Sequence, residues 1–79
     1  MAFYIEINKE SEDARAAQYR FEADRQGVGR FEIDKATGQV ELLSPMPGDE
    51  KEKVFQRAAV KIIREWREGR LPERAEWAS

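Results

Sequence analysis

Residues 49–69 read DEKEKVFQRAAVKIIREWREG, and the spacing of their apolar positions decides the fold. Phe55, Ala58, Ala59, Ile62, Ile63 and Trp66 follow the i, i+3, i+4, i+7 rhythm of a helix that buries one face. Lys53, Arg57, Lys61, Arg64 and Arg67 gather on the other side, so the same helix shows water a row of positive charge. Asp49, with Glu52 three residues on, predicts an acidic form of the capping box at its start. Gly69 and Pro72 supply the stop. A helix over 49–69 is about 30 Å long, enough to cross a small sheet.

Upstream of it the pattern changes to period two. Phe3, Ile5 and Ile7 alternate with Tyr4 and Glu6 and predict a first strand. The polar run from Asn8 to Arg15 reads as a connection. Between Ala16 and Asp24 two patterns compete. Ala17, Tyr19, Phe21 and Ala23 alternate with Gln18, Arg20 and Glu22, as a strand requires. A helix capped by Ser11 and ended by Gly27 is the rival. That helix would set Tyr19 and Phe21 roughly 200° apart at 100° per residue, whereas a strand sends both to the core, and the strand is preferred. Arg25-Gln26-Gly27 then turns the chain, and Gly29, Phe31 and Ile33 form the inner side of a third strand. Asp34-Lys35-Ala36-Thr37-Gly38 is a hairpin signal, returning along Gln39 to Leu43 with Val40 and Leu42 facing the core. Ser44-Pro45-Met46-Pro47-Gly48 breaks the sheet. After Gly69, the tail at 70–79 reads as a short helical turn with Pro72 at its first position, Leu71 and Trp77 folding back over the helix end.

The expected fold is α+β. A four-stranded antiparallel meander (3–43) has one long C-terminal helix (49–69) packed across one face, in the order β-β-β-β-α, with a short tail. Seventy-nine residues allow one domain, 1–79, and one core. Tyr4, Glu6, Arg20, Glu22, Arg30, Glu32 and Glu41 would face outward, with opposite charges available to pair across strands.

Composition narrows the chemistry. With no cysteine the chain has no disulfide, thiolate ligand or thiol nucleophile, and with no histidine it lacks the usual general base. Ser11, Ser44, Ser79 and Thr37 lie in expected loops or termini and serve better as turn residues than as nucleophiles. Glu22 and Glu32 form a candidate acid pair on the outer sheet face, but Arg20 and Arg30 beside them suggest a charge ladder. Glu10, Glu12 and Asp13 lack the spacing of a calcium loop. No catalytic residue, metal or cofactor is expected, nor a small-molecule substrate. The start of the sequence has no basic region followed by an apolar run, and nothing is long enough to span a bilayer, so a cytoplasmic protein with no membrane partner is expected.

The net charge of −2 conceals an asymmetry. Residues 1–47 carry six basic and nine acidic side chains, whereas Lys53 to Arg67 carry five basic and one acidic. Two binding faces follow. Lys53, Arg57, Lys61, Arg64 and Arg67 suit the phosphates of a nucleic acid read without regard to sequence. No aromatic residue interleaves with this ridge, and any soluble amphipathic helix also shows a charged outer face. Tyr4, Leu43, Val60 and Trp77 are apolar groups expected at the surface, where a contiguous patch would dock a protein partner or a second copy. An unpaired edge strand is another route to pairing. The expected function is a non-catalytic protein-interaction or adaptor domain, with nucleic-acid binding through the helix as the alternative.

Overall fold

A computed structural model describes residues 4–23 and 27–78. Phe3 of the first predicted strand, and Asp24, Arg25 and Gln26 at the second strand's end and turn, lie outside the described residues. The elements run β1 (Tyr4–Glu12), β2 (Ala16–Ala23), β3 (Val28–Asp34), β4 (Val40–Ser44), α1 (Lys53–Arg67) and β5 (Arg74–Ala78). The sheet order is β4-β3-β2-β1-β5, every neighbouring pair antiparallel. The α+β class and the meander follow the sequence pattern, but among the described residues the sheet has five strands, not four.

The fifth strand is the tail. Residues 74–78 pair with β1, setting Ile5 opposite Trp77 and Ile7 opposite Ala75. The alternation Arg74, Ala75, Glu76, Trp77 is a strand pattern of minimal length, and Pro72 stands before it as a breaker instead of at a helix start. β1 is also longer than its apolar residues suggest. Its polar arm continues to Glu12 with a register shift between Lys9 and Ser11, pairing with Gln18 and Ala17 of β2. Asp13 closes the turn by accepting the N–H groups of Arg15 (2.8 Å) and Ala16 (2.9 Å) on its carboxylate. The segment from Ala16 to Ala23 is a strand, and the rival helix is excluded.

The hairpin at Asp34 forms as its sequence requires. Asp34 accepts N–H from Ala36 (2.8 Å) and Thr37 (3.0 Å), and Gly38 turns at φ 77°. The helix start differs from expectation. Glu52 is the residue before α1, in the left-handed region at φ 57°, and its side chain makes no cap bond. Asp49 caps from farther out, where the turn from Met46 to Glu52 brings its two carboxylate oxygens to the N–H groups of Val54 and Phe55, 3.0 Å each. α1 ends in a Schellman arrangement at Gly69, φ 82°, with Gly69 N–H on the Trp66 carbonyl and Arg70 N–H on that of Glu65, both 2.9 Å.

Ile5, Ile7, Tyr19, Phe21, Phe31, Ile33 and Ile62 are fully buried between sheet and helix. Tyr19 stacks on Phe31 with centroids 5.6 Å apart, and Phe55 meets Phe31 edge-on at 5.9 Å. The Tyr19 hydroxyl donates to the Pro72 carbonyl (2.7 Å), tying the crossing to β5 against the sheet. α1 sits off centre. It packs on β5 and on β1 to β3 but barely reaches β4, so Val40, Leu42, Phe55, Ile63 and Trp66, all assigned to the core by pattern, are only half-buried.

On the outer face the register sets like beside like. Arg20 lies opposite Arg30, Glu6 opposite Glu22, and Glu32 opposite Glu41. The expected cross-strand pairing of opposite charges is replaced by contacts along or diagonally over the sheet, such as Arg20 with Glu22 (3.4 Å) and Arg30 with Glu10 (2.8 Å).

Candidate functional site

The helix period that buries Ala58 and Ile62 turns Lys53, Arg64 and Arg67 fully outward and leaves Arg57 and Lys61 half-buried on the flank toward β5. Because β5 pairs with β1, Trp77 comes up beside this flank, and the Arg57 guanidinium carbon lies 5.1 Å from the centroid of its ring. Lys61 shares a shallow groove with Glu65, Arg74 and Glu76. The structure therefore places one aromatic residue at the margin of the cationic ridge. No local pattern in the sequence signals that neighbour, since it arrives by a strand pairing with residues at the other end of the chain.

Carboxylates are distributed unevenly among the cations. Lys9, Arg20, Arg30, Lys35, Arg70 and Arg74 each have a carboxylate oxygen within 4.0 Å. Lys53, Lys61, Arg64 and Arg67 on α1, and Arg15 and Lys51 in turns, have none among the described residues. Such an uncompensated row raises the local potential of one face of an otherwise slightly acidic protein.

Tyr4, Leu43, Val60 and Trp77 do not form one patch. Tyr4 and Leu43 lie on strands separated by β2 and β3, Val60 is on the outer face of α1, and Trp77 is half-buried against the core. The Tyr4 hydroxyl is engaged by Arg74, whose pKa that bond helps to raise.

The carboxylates considered for chemistry have structural partners. Glu22 and Glu32 share the outer face without standing opposite each other. Glu10 holds Arg30, and Asp13 holds its own turn, whose N–H groups lower its pKa. Glu12 accepts from both Lys35 (2.6 Å) and Lys9, which together bring its pKa down to about 2. Among the described residues no three acidic side chains converge to hold a metal ion, and no helix is long and apolar enough to cross a membrane. A cleft of about 310 Å³ at the C-terminal end of α1, lined by Glu12, Lys35, Trp66, Gly69, Arg70 and Leu71, escapes the sequence reading because it joins three distant segments. Its charged side chains already satisfy one another, Glu12 with Lys35 and Arg70 with Glu65 (3.0 Å).

Compared with protein-family models, with curated proteins and with solved structures, the chain gives no significant match, so its place rests on its own geometry.

Proposed function

We propose that this chain is a small non-catalytic adaptor domain whose outer α1 face binds the backbone of a nucleic acid without regard to sequence. The observation that carries the reading is the segregation of charge. Six cations of the sheet, turns and tail have a carboxylate oxygen within 4.0 Å, Arg15 and Lys51 being without one among the described residues, while Lys53, Lys61, Arg64 and Arg67 stand along one helix with none that close. Lys53 to Arg57 and Arg57 to Lys61 each advance about 6 Å along the axis at 1.5 Å per residue, a stride suited to successive phosphates of an extended strand. The Arg57 and Trp77 pair adds a planar surface at the ridge's margin on which a base can rest.

Four such cations predict a modest, strongly salt-dependent affinity. Releasing counterions from roughly four phosphates gives a slope of log K against log salt near −2.8 for a single strand, an approximately 50-fold loss between 50 and 200 mM. The test is an amide NMR titration with a mixed-sequence single-stranded oligonucleotide at low and then higher salt, with the slope taken from fluorescence anisotropy. Shifts concentrated at Lys53, Arg57, Lys61 and Arg64, fading with salt, support the reading. The double variant Lys53→Gln, Arg64→Gln should keep its fold and lower the slope by about 1.4. An absence of shifts on α1 at low salt, or an unchanged slope in the double variant, sinks it.

A further inference from the structure

We propose that the open edge of β4 takes up an extended segment of a partner protein as a sixth strand, one that alternates apolar and cationic side chains. This surface is distinct from the α1 ridge and does not depend on it.

The backbone supplies the first reason. Asp34 donates its N–H to the Gln39 carbonyl (2.9 Å), so the antiparallel alternation turns the N–H and C=O groups of Val40 and Leu42 away from β3, toward the free edge. Among the described residues, no strand covers that side. Unpaired edge groups are a template for an added strand.

The side chains say what kind of strand fits. On the inner face Val40 and Leu42 are half-buried, because α1 is displaced toward β5. Phe55 and Ile63, also half-buried, lie on the flank of α1 away from β5. Trp66 on the same flank fixes the direction, since its indole N–H donates to the Lys35 carbonyl (2.8 Å) in the β3–β4 turn. A half-buried apolar flank thus lies beside β4, and alternate residues of an added strand would point toward it.

On the outer face the same edge is acidic. Glu41 stands directly opposite Glu32, a like-charged pair that weakens a sheet, and neither has a cation within 4.0 Å among the described residues. A shallow depression of about 270 Å³ there is lined by Glu32, Asp34, Gln39, Val40 and Glu41, three carboxylates and no cation among the described residues, with Arg15 in the adjoining depression that Glu32 and Asp34 share. A lysine or arginine on an added strand opposite Glu41 would turn this repulsion into attraction. A second copy of this chain would instead bring another Glu41 and Glu32 to the same place, so charge selects a cationic partner over self-pairing.

The other edge lacks these features. On β5, Arg74 is 3.4 Å from Glu76, and Trp77 lies under Arg57. β4 is short, and a register shift near Leu43 with Pro45 beyond limits the added pairing to the stretch around Val40 to Leu42. A weak, reversible complex is the expected outcome.

The experiment uses the full chain and an alternating Lys/Val heptapeptide, followed by amide NMR and hydrogen exchange. Shifts at Val40, Glu41 and Leu42 are expected, with slowed exchange of the Val40 and Leu42 N–H groups. The exposed substitution Glu41→Lys should weaken binding roughly tenfold, by exchanging an attractive cross-strand pair for a repulsive one. A backbone N-methylated version of the peptide, with the same charges but no strand pairing, should not bind measurably. Equal binding of the methylated peptide would reduce the effect to bulk charge and overturn the proposal. So would unprotected Val40 and Leu42 amides, or protection that appears without peptide as protein concentration rises, which would make a second copy the occupant.

Discussion

Three glycines separate two costs that are usually entangled, a left-handed backbone and lack of space. Gly69 sits at φ 82° with nothing within 4 Å of where a Cβ would stand. Gly29 has no such backbone demand, but a methyl there would strike the Phe21 ring, with Cε1 at 2.7 Å and Cε2 at 2.8 Å. Gly38 combines both, since φ is 77° and the ring of Trp66 lies 2.5 to 2.8 Å from the new methyl. Gly69→Ala should therefore cost about 1 kcal/mol, the price of a left-handed alanine. Gly29→Ala should cost about 2 kcal/mol as overpacking in a filled core. Gly38→Ala adds the backbone term to the clash and, by displacing Trp66, endangers its bond to the Lys35 carbonyl (2.8 Å), for a total of about 3 kcal/mol. For a 79-residue domain this is a large share of a total stability of roughly 4 to 12 kcal/mol. At about 4 to 8 °C per kcal/mol, thermal denaturation followed by circular dichroism should show losses near 5 °C for Gly69→Ala and at least 12 °C for Gly38→Ala. Tryptophan emission should also shift to the red in Gly38→Ala alone, as Trp66 moves toward water. If Gly38→Ala proves no worse than Gly69→Ala, Trp66 does not pack on the hairpin turn, and the apolar flank beside β4 is wrongly placed.

Asp49→Ala removes the acceptor for the Val54 and Phe55 N–H groups and should cost about 1 kcal/mol in urea denaturation. Glu52→Gly should act in the opposite direction and stabilise by up to about 1 kcal/mol, because glycine relieves the left-handed φ of 57° and no side-chain cap bond is lost. The pKa of Glu12 is lowered from 4.5 to about 2 by Lys35 and Lys9, so the folded state holds its carboxylate charged where the unfolded chain protonates it. Its contribution is present in full above the unfolded pKa and is lost as pH falls from about 4.5 toward about 2. Glu12→Gln should flatten the stability profile across that window and leave the slope above it unchanged. Asp13 and Asp34, also lowered by the N–H groups of their turns, retain the remaining acid sensitivity.

What the sequence made legible was local. The 3.6-residue stripe of α1, the turn chemistry of Asp34 to Gly38 and the alternation of β2 each reside within a few neighbouring residues, and each appears in the structure. The reading failed where a partner far along the chain decides the conformation. Residues 74–78 are too short to declare themselves a strand, and they become one because Ile5 and Ile7 present an open edge some 70 positions earlier. The polar arm of β1 from Asn8 to Glu12 carries no apolar alternation, and its pairing with β2 holds it in the sheet. For the same reason the cations of α1 were legible as a ridge while the Trp77 ring beneath Arg57 was not. The expected apolar patch failed on topology, since Tyr4 and Leu43 are outward residues on strands that β2 and β3 keep apart.

β5 links the two proposed surfaces. By occupying the free side of β1, it draws α1 off the sheet's centre and leaves the flank over β4 half-covered, while Trp77 steadies the cationic flank. Among the described residues, four cations without a carboxylate within 4.0 Å lie along α1, and two carboxylates without a cation that close, Glu32 and Glu41, lie beside the β4 edge. These charges act on each other's ligands. A polyanion approaching α1 feels residual repulsion from the carboxylates, screened beyond about 10 Å at 0.1 M salt. A cationic strand seated on β4 neutralises that repulsion, so the partner peptide should tighten nucleic-acid binding, and nucleic acid should tighten peptide binding by the same factor. The coupling is electrostatic and must vanish at high salt, which distinguishes it from a shape change transmitted through the core. On this reading an acidic composition is compatible with a nucleic-acid ligand, because part of the excess, Glu32 and Glu41, sits where a second, cationic partner would cancel it.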